Sequence, residues 1–142
     1  MSDQPVHGTV AARWDPACGW RGVFITGMSG AGKSDLALRL IGQGWRLVAD
    51  DYAHVFASGG VLYATAPRAI VGRMEARGVG VVTACTVAQA RLSLAVELVE
   101  GAVERLPETR SRRFDGVDLR LIALDPREAS VVEKVTVAIA RL

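Results

Sequence analysis

The chain has 142 residues, half of them hydrophobic and 23% charged, which is the mix of one ordinary globular domain. Its 17 basic and 15 acidic residues are interspersed, and only Lys33 and Lys134 are lysines. No aromatic residues interleave with a basic stripe, so a nucleic-acid module is excluded as the leading reading. Asn is absent, which removes the guanine-reading Asn-Lys-x-Asp motif, the catalytic-loop Asn of protein kinases and any N-glycosylation site. Cys18 and Cys85 fit no metal spacing and read as free thiols of a reducing compartment. His7 and His54 are too few for a His-rich metal site. No apolar run approaches the roughly 20 residues of a membrane span. The start, Met1-Ser2-Asp3-Gln4-Pro5, carries no signal-peptide pattern. The expected location is cytoplasmic.

In chain order, His7 to Arg13 and Gly22 to Thr26 read as strands joined by a turn at Asp15-Pro16-Ala17-Cys18-Gly19. A glycine-rich loop, Gly27 to Gly32, leads into a helix from Lys33 to Gln43, with Leu36, Ala37, Leu40 and Ile41 on one face. Gly42 and Gly44 stop that helix. Arg46 to Ala49 is a short apolar strand ending in Asp50-Asp51. Ala53 to Ala57 and Val61 to Ala66 flank Ser58-Gly59-Gly60 as a hairpin. Ile70 to Ala84 is apolar and punctuated by glycine. Between Thr86 and Leu106 the apolar residues fit both a strand and a helix, and periodicity alone leaves both open. The run Arg110 to Arg113 reads as a solvated basic loop. Val117 to Leu124 alternates as a strand, and Ser130 to Leu142 is a helix with a capping box offered by Ser130 and Glu133.

The chemistry concentrates in Gly27-Met28-Ser29-Gly30-Ala31-Gly32-Lys33-Ser34, a G-x-x-x-x-G-K-S phosphate-binding loop. Glycines let the backbone N–H groups close around phosphate, and the following helix adds its positive N-terminal end. Lys33 is placed to reach the β- and γ-phosphates, and the Ser34 hydroxyl to ligate Mg²⁺. Asp50 and Asp51 lie at a strand end, where α/β proteins place their ligands. Two adjacent carboxylates repel unless a cation or a shared proton relieves them. One is read as acting beside the metal and the other as general base for an attacking hydroxyl. Glu75, in Arg73-Met74-Glu75-Ala76-Arg77-Gly78-Val79-Gly80, is a candidate second Mg²⁺ ligand.

Together these stretches resemble the catalytic domain of the HPr kinase/phosphorylase family. The resemblance rests on His7-Gly8, the loop Gly27 to Ser34, Gly44 to Asp51, Glu75-Ala76-Arg77-Gly78-Val79-Gly80 and Glu104-Arg105-Leu106, in that order. It implies an α/β fold: a P-loop kinase core related to phosphoenolpyruvate carboxykinase, a mixed sheet with antiparallel strands and few helices. It also favours the strand alternative around Leu92 to Glu100. It implies His7, Lys33, Asp50, Asp51 and Arg105 as catalytic residues, ATP held by Gly27 to Ser34, and Mg²⁺ held by Ser34 and Glu75. Asp51 would be the base and Arg105 would stabilise the phosphoryl group. The implied reaction is ATP-dependent phosphorylation of a serine on HPr, a carrier protein of the phosphotransferase system, with phosphorolysis as the reverse. A homo-oligomer, usually a hexamer, is implied too. The family's separate N-terminal domain has no counterpart here, so residues 1–142 are expected to be a single catalytic domain. The family's late Pro-Gly-Arg-Asn-type loop is replaced by Leu124-Asp125-Pro126-Arg127-Glu128-Ala129, and that loop is linked to phosphorolysis. Two other readings share the loop: a small-metabolite kinase with Arg110 to Arg113 as lid, and a nucleotide-sensing module without transfer.

Overall fold

The computed structural model describes residues 4–142. The reading of Met1 to Asp3 as free of a leader lies outside the described residues. Continuous apolar runs build the centre, as expected of strands buried on both faces. Val10-Ala11-Ala12 falls in β2 (Thr9–Asp15), and Val23-Phe24-Ile25 in β3 (Gly19–Thr26). The two pair antiparallel through the turn read from the sequence. The ambiguous stretch contains a strand, β9 (Gln89–Leu98), and otherwise irregular chain. The strand form prevails because β9 runs parallel to β3 and buries side chains on both faces.

Around this pair the sheet is mixed. β4 (Arg46–Ala49) pairs antiparallel with β2. β5 (Tyr52–Ser58) and β6 (Val61–Thr65) form the expected hairpin. β1 (Val6–His7) pairs with β5. β10 (Arg110–Phe114) and β11 (Val117–Leu124) form a second hairpin. β3 occupies one edge of β9. The other edge is shared, with β6 antiparallel at its start and β11 parallel at its end. A separate ribbon pairs β7 (Arg73–Ala76) with β8 (Gly80–Thr83).

Two apolar clusters lie on the two faces of the sheet. On one, Leu36 and Leu40 of α1 (Lys33–Ile41) and Val131, Val135 and Ile139 of α2 (Val131–Ala140) pack on Val23, Ile25, Leu94 and Val96. Met74 of β7 joins this cluster and holds the ribbon against it. On the other face Phe24, Val55, Leu62, Leu92, Phe114 and Leu119 close together. Each large aliphatic side chain buried this way contributes about 1.5–3 kcal/mol.

Three local expectations are corrected. The first strand is not continuous. It breaks at Gly8, whose N–H donates to the Asp51 carbonyl at 2.8 Å, as the chain changes partner from β5 to β3. Arg110 to Arg113 is strand rather than loop or lid, though Arg110, Ser111 and Arg113 are exposed as expected. Arg112 lies over the rings of Phe24 and Phe114, and Arg113 donates to Asp118 and to the Gly116 carbonyl. The Ser130–Glu133 capping box does not form, because Ser130 sits at φ −94° and ψ 12°, and its side chain makes no cap hydrogen bond. That backbone is far from the extended conformation a capping side chain needs.

Gly8 is also a steric requirement. A Cβ there would lie 2.5 Å from Phe24 Cζ and 3.0 Å from the Ile25 carbonyl, and Phe24 is fully buried. Gly8→Ala is expected to cost about 1–3 kcal/mol, the usual range for overpacking, as read by urea denaturation.

Candidate active site

The loop Gly27 to Gly32 joins the C-terminal end of β3 to α1. Gly30 and Gly32 take φ +83° and +102°, conformations natural to glycine and costly with a Cβ. Gly32 is the N-cap of α1, so the first N–H groups of the helix open toward the loop. Lys33 is buried and folds back over the loop, its Nζ donating to the carbonyls of Gly27 at 3.1 Å and Met28 at 3.2 Å. A side chain at Gly32 would come within 3.7 Å of the Pro126 ring, which places the turn after β11 beside the loop.

The two adjacent acids separate. Asp50 is buried and entirely engaged. Its Oδ1 accepts from Ser34 Oγ at 2.6 Å and from Thr9 Oγ1 at 3.0 Å, and its Oδ2 accepts from the Glu75 backbone N–H at 3.2 Å. Asp51 turns the other way through a left-handed backbone at φ 70°. It is held there by its own N–H donating to Thr9 Oγ1 at 3.1 Å and by the Gly8 bond to its carbonyl. Its side chain is 61% exposed, and Oδ1 accepts from His7 Nε2 at 3.0 Å. Tyr52 packs its ring against that of His7. Like-charge repulsion is thus relieved by pointing the carboxylates into different surroundings.

His7, Lys33, Ser34, Asp50 and Asp51 therefore come together by direct contacts or along one loop. Glu75 is joined to them through its backbone, and its side chain is exposed on β7. Arg105 is exposed on the connection between β9 and β10 and makes no hydrogen bond or ion pair with any of these residues. Among the described residues no three His, Cys, Asp or Glu side chains are grouped to hold a metal. The donors beside the loop are oxygens, Ser34 Oγ and the Asp50 carboxylate. Such a set suits a Mg²⁺ ion that takes most of its ligands from phosphate and water.

Sequence reasoning missed Thr9, and it singled out the loop from Leu124 to Ala129 without the pairing of Asp125 inside it. Thr9 is fully buried and its hydroxyl links Asp50 to Asp51; nothing in an isolated strand threonine announces that. Asp125 is gripped by Arg127, whose Nε and Nη2 donate at 3.1 and 2.8 Å, by the Arg127 N–H at 2.9 Å and by the Gly101 N–H at 3.3 Å. These donors, the guanidinium foremost, hold the Asp125 carboxyl well below the ordinary value of 3.8.

Strand, glycine loop, lysine and helix in this order define a P-loop fold. The chain belongs to the HPr Serine kinase C-terminal domain family, whose model matches residues 17–139. It is similar to the HPr kinase/phosphorylase of Exiguobacterium sibiricum, 48% identical over 66 residues, which is 46% of this chain and 21% of that protein. It is also similar to the HPr kinase/phosphorylase of Clostridium kluyveri, 51% identical over 61 residues, 43% of this chain and 20% of that one. The matched stretches span about a fifth of those relatives' length. The structure of the HPr(Ser) kinase/phosphatase from Coxiella burnetii superimposes with a TM-score of 0.79, covering 98% of this chain and 89% of that chain at 22% identity. The expected mixed-sheet P-loop kinase fold is therefore present.

Thr9→Val, which keeps the shape but deletes the bridging hydroxyl, is expected to cost about 1–3 kcal/mol in urea denaturation, with Thr9→Ser losing less. A depressed carboxyl stabilises the fold fully above its unfolded value and progressively less as pH falls below it. The stability difference between the unaltered chain and Asp125→Asn is therefore expected to be constant near neutrality, to begin shrinking below about pH 5 and to go on shrinking into strong acid in acid titration of unfolding.

Proposed function

We propose that this chain catalyses ATP- and Mg²⁺-dependent transfer of a phosphoryl group to a serine of HPr. The observation that carries the reading is the division of labour between Asp50 and Asp51. Asp50 is spent on Ser34, Thr9 and Glu75, whereas Asp51, next to it in the chain, stays exposed with His7 orienting its carboxylate. An exposed base suits an acceptor hydroxyl carried by another protein, which cannot enter a closed pocket. The name shared by the relatives supports HPr as that acceptor.

In the forward direction the serine Oγ attacks the γ-phosphorus, the bond from that phosphorus to ADP breaks, and the serine proton passes to Asp51. Gly27 to Ser34 hold the nucleotide phosphates through backbone N–H groups, and Lys33 leaves its two loop carbonyls to meet the transferring group. Ser34 and Glu75 would hold Mg²⁺, which supplies charge neutralisation when bound. Arg105 reaches the phosphoryl group from its exposed connection once the acceptor is seated. Catalysis of this kind is mostly positioning and electrostatics. In the reverse direction an oxygen of inorganic phosphate attacks the phosphorus of phosphoserine, the bond from that phosphorus to the serine Oγ breaks, protonated Asp51 gives its proton to Oγ, and pyrophosphate leaves. We place the reaction in the cytoplasm and in a homo-oligomer.

The test is mass spectrometry of HPr after incubation with the chain, Mg²⁺ and ATP. One added phosphate on a serine is expected. Lys33→Ala should abolish it, Asp51→Asn should lower the rate about 10²–10⁴-fold while ATP still binds, and Arg105→Ala should lower transfer more than ATP affinity. Near-normal turnover of Asp51→Asn would exclude it as the base. ATP binding without any phosphorylated product would favour a nucleotide sensor instead.

A further inference from the structure

At the opposite end of the sheet from the loop lies a cleft of about 480 Å³. It opens where β3 and β9 begin, under the tip of the β5–β6 hairpin and beside β11. Three arginines line it: Arg21, Arg91 and Arg120. Arg21 and Arg91 are register partners on the parallel strands. Arg21 is satisfied, donating to Ser93 Oγ at 3.1 Å, to Asp15 at 3.3 Å and to the Leu142 carbonyl at 3.4 Å. The other two are not. Arg91 is exposed, and its side chain has no hydrogen-bond or ionic partner among the described residues. Arg120 is half-buried, and its Nε is a fully buried donor without a partner.

The acids of the cleft do not answer this charge. Asp15 is taken by Arg21 and by the Ala17 N–H, Asp118 by Arg113, and the backbone oxygen of Leu142, which also lines the cleft, by Arg21. A buried donor left unpaired is costly, and hydrogen bonds to a charged acceptor are the stronger kind. Among the described residues no acceptor holds the Arg120 guanidinium, so turning it onto an oxyanion gains bonds and forfeits none of those described. A carboxylate is satisfied by a single guanidinium fork. Two forks on different strands match an anion with three or more acceptor oxygens and more than one charge.

We propose that this cleft is a binding site for a small phosphate-bearing anion, separate from the nucleotide loop and clamped by Arg91 and Arg120. The cleft is large enough for the phosphate to carry a small organic group.

The probe is inorganic phosphate, with malonate as the dicarboxylate comparison, titrated into the whole chain at fixed ionic strength. The loop also attracts phosphate, so the titration is run in a Lys33→Ala background by calorimetry and by NMR of the arginine Nε–H resonances. Saturable binding at one site is expected, with the Arg120 Nε–H resonance shifting. Arg91→Ala and Arg120→Ala should each weaken it about tenfold or more. Arg68→Ala, which removes an exposed arginine outside the cleft, should change it less than twofold. Equal loss in Arg68→Ala, loss of all binding in Lys33→Ala, or tighter binding of malonate than phosphate would overturn the proposal. Should Arg120→Ala not fold, Arg91→Gln and the Arg120 resonance of the Lys33→Ala chain still decide it, because a resonance that stays put at saturation excludes the clamp.

Discussion

The structure depends on one buried carboxylate. Asp50 sits where α1, β2 and β7 meet and accepts from a side chain of the first two and the backbone of the third. An ionised carboxylate away from water is tolerated only when donors surround it, and here each donor belongs to a different element. The glycine loop, the first long strand and the β7–β8 ribbon are thus located relative to one another by a single group. Removing it would leave the Ser34 hydroxyl, the Thr9 hydroxyl and the Glu75 N–H without their acceptor.

Asp51 follows from the same constraint. With Asp50 turned inward, the next residue reaches solvent only through a left-handed backbone, a cost of roughly 1–2 kcal/mol for most L-residues that Asp tolerates better. Bonds from Gly8 and Thr9 hold that conformation. Strain of this kind collects where geometry matters more than stability. The break between β1 and β2 at Gly8 belongs to the same arrangement, since it brings His7 across to Asp51.

What was legible in the sequence was local. The glycine loop, the helix after it, the strand ending at Ala49 and the β5–β6 hairpin carry their signals within a few residues, and each lies within a residue or two of its expected bounds. The resemblance to a known family supplied the mixed sheet. What could not be read depended on distant partners. Residues 89–98 satisfy two periodicities, and only the neighbours β3 and β11 choose the strand. Arg110 to Arg113 reads as a loop until its pairing with β11 is seen, and Arg112 as solvated until Phe24, far away in the chain, lies under it. Thr9 has no signature at all, because its role is set by two residues that follow it by more than forty positions.

The placement of β9 has a kinetic meaning. Every strand that pairs with it comes from a separate part of the chain: β3, β6 and β11. No tight turn connects the central strand to a partner, so no local hairpin can nucleate it. The loop-closing entropy of several long connections must be met before the core rewards it. Such non-local, partly parallel sheets fold slowly, on the scale of milliseconds to seconds. Until β11 arrives, the C-terminal half of β9 offers an unpaired apolar edge, and that edge is where a crowded or overheated preparation of this chain would begin to aggregate.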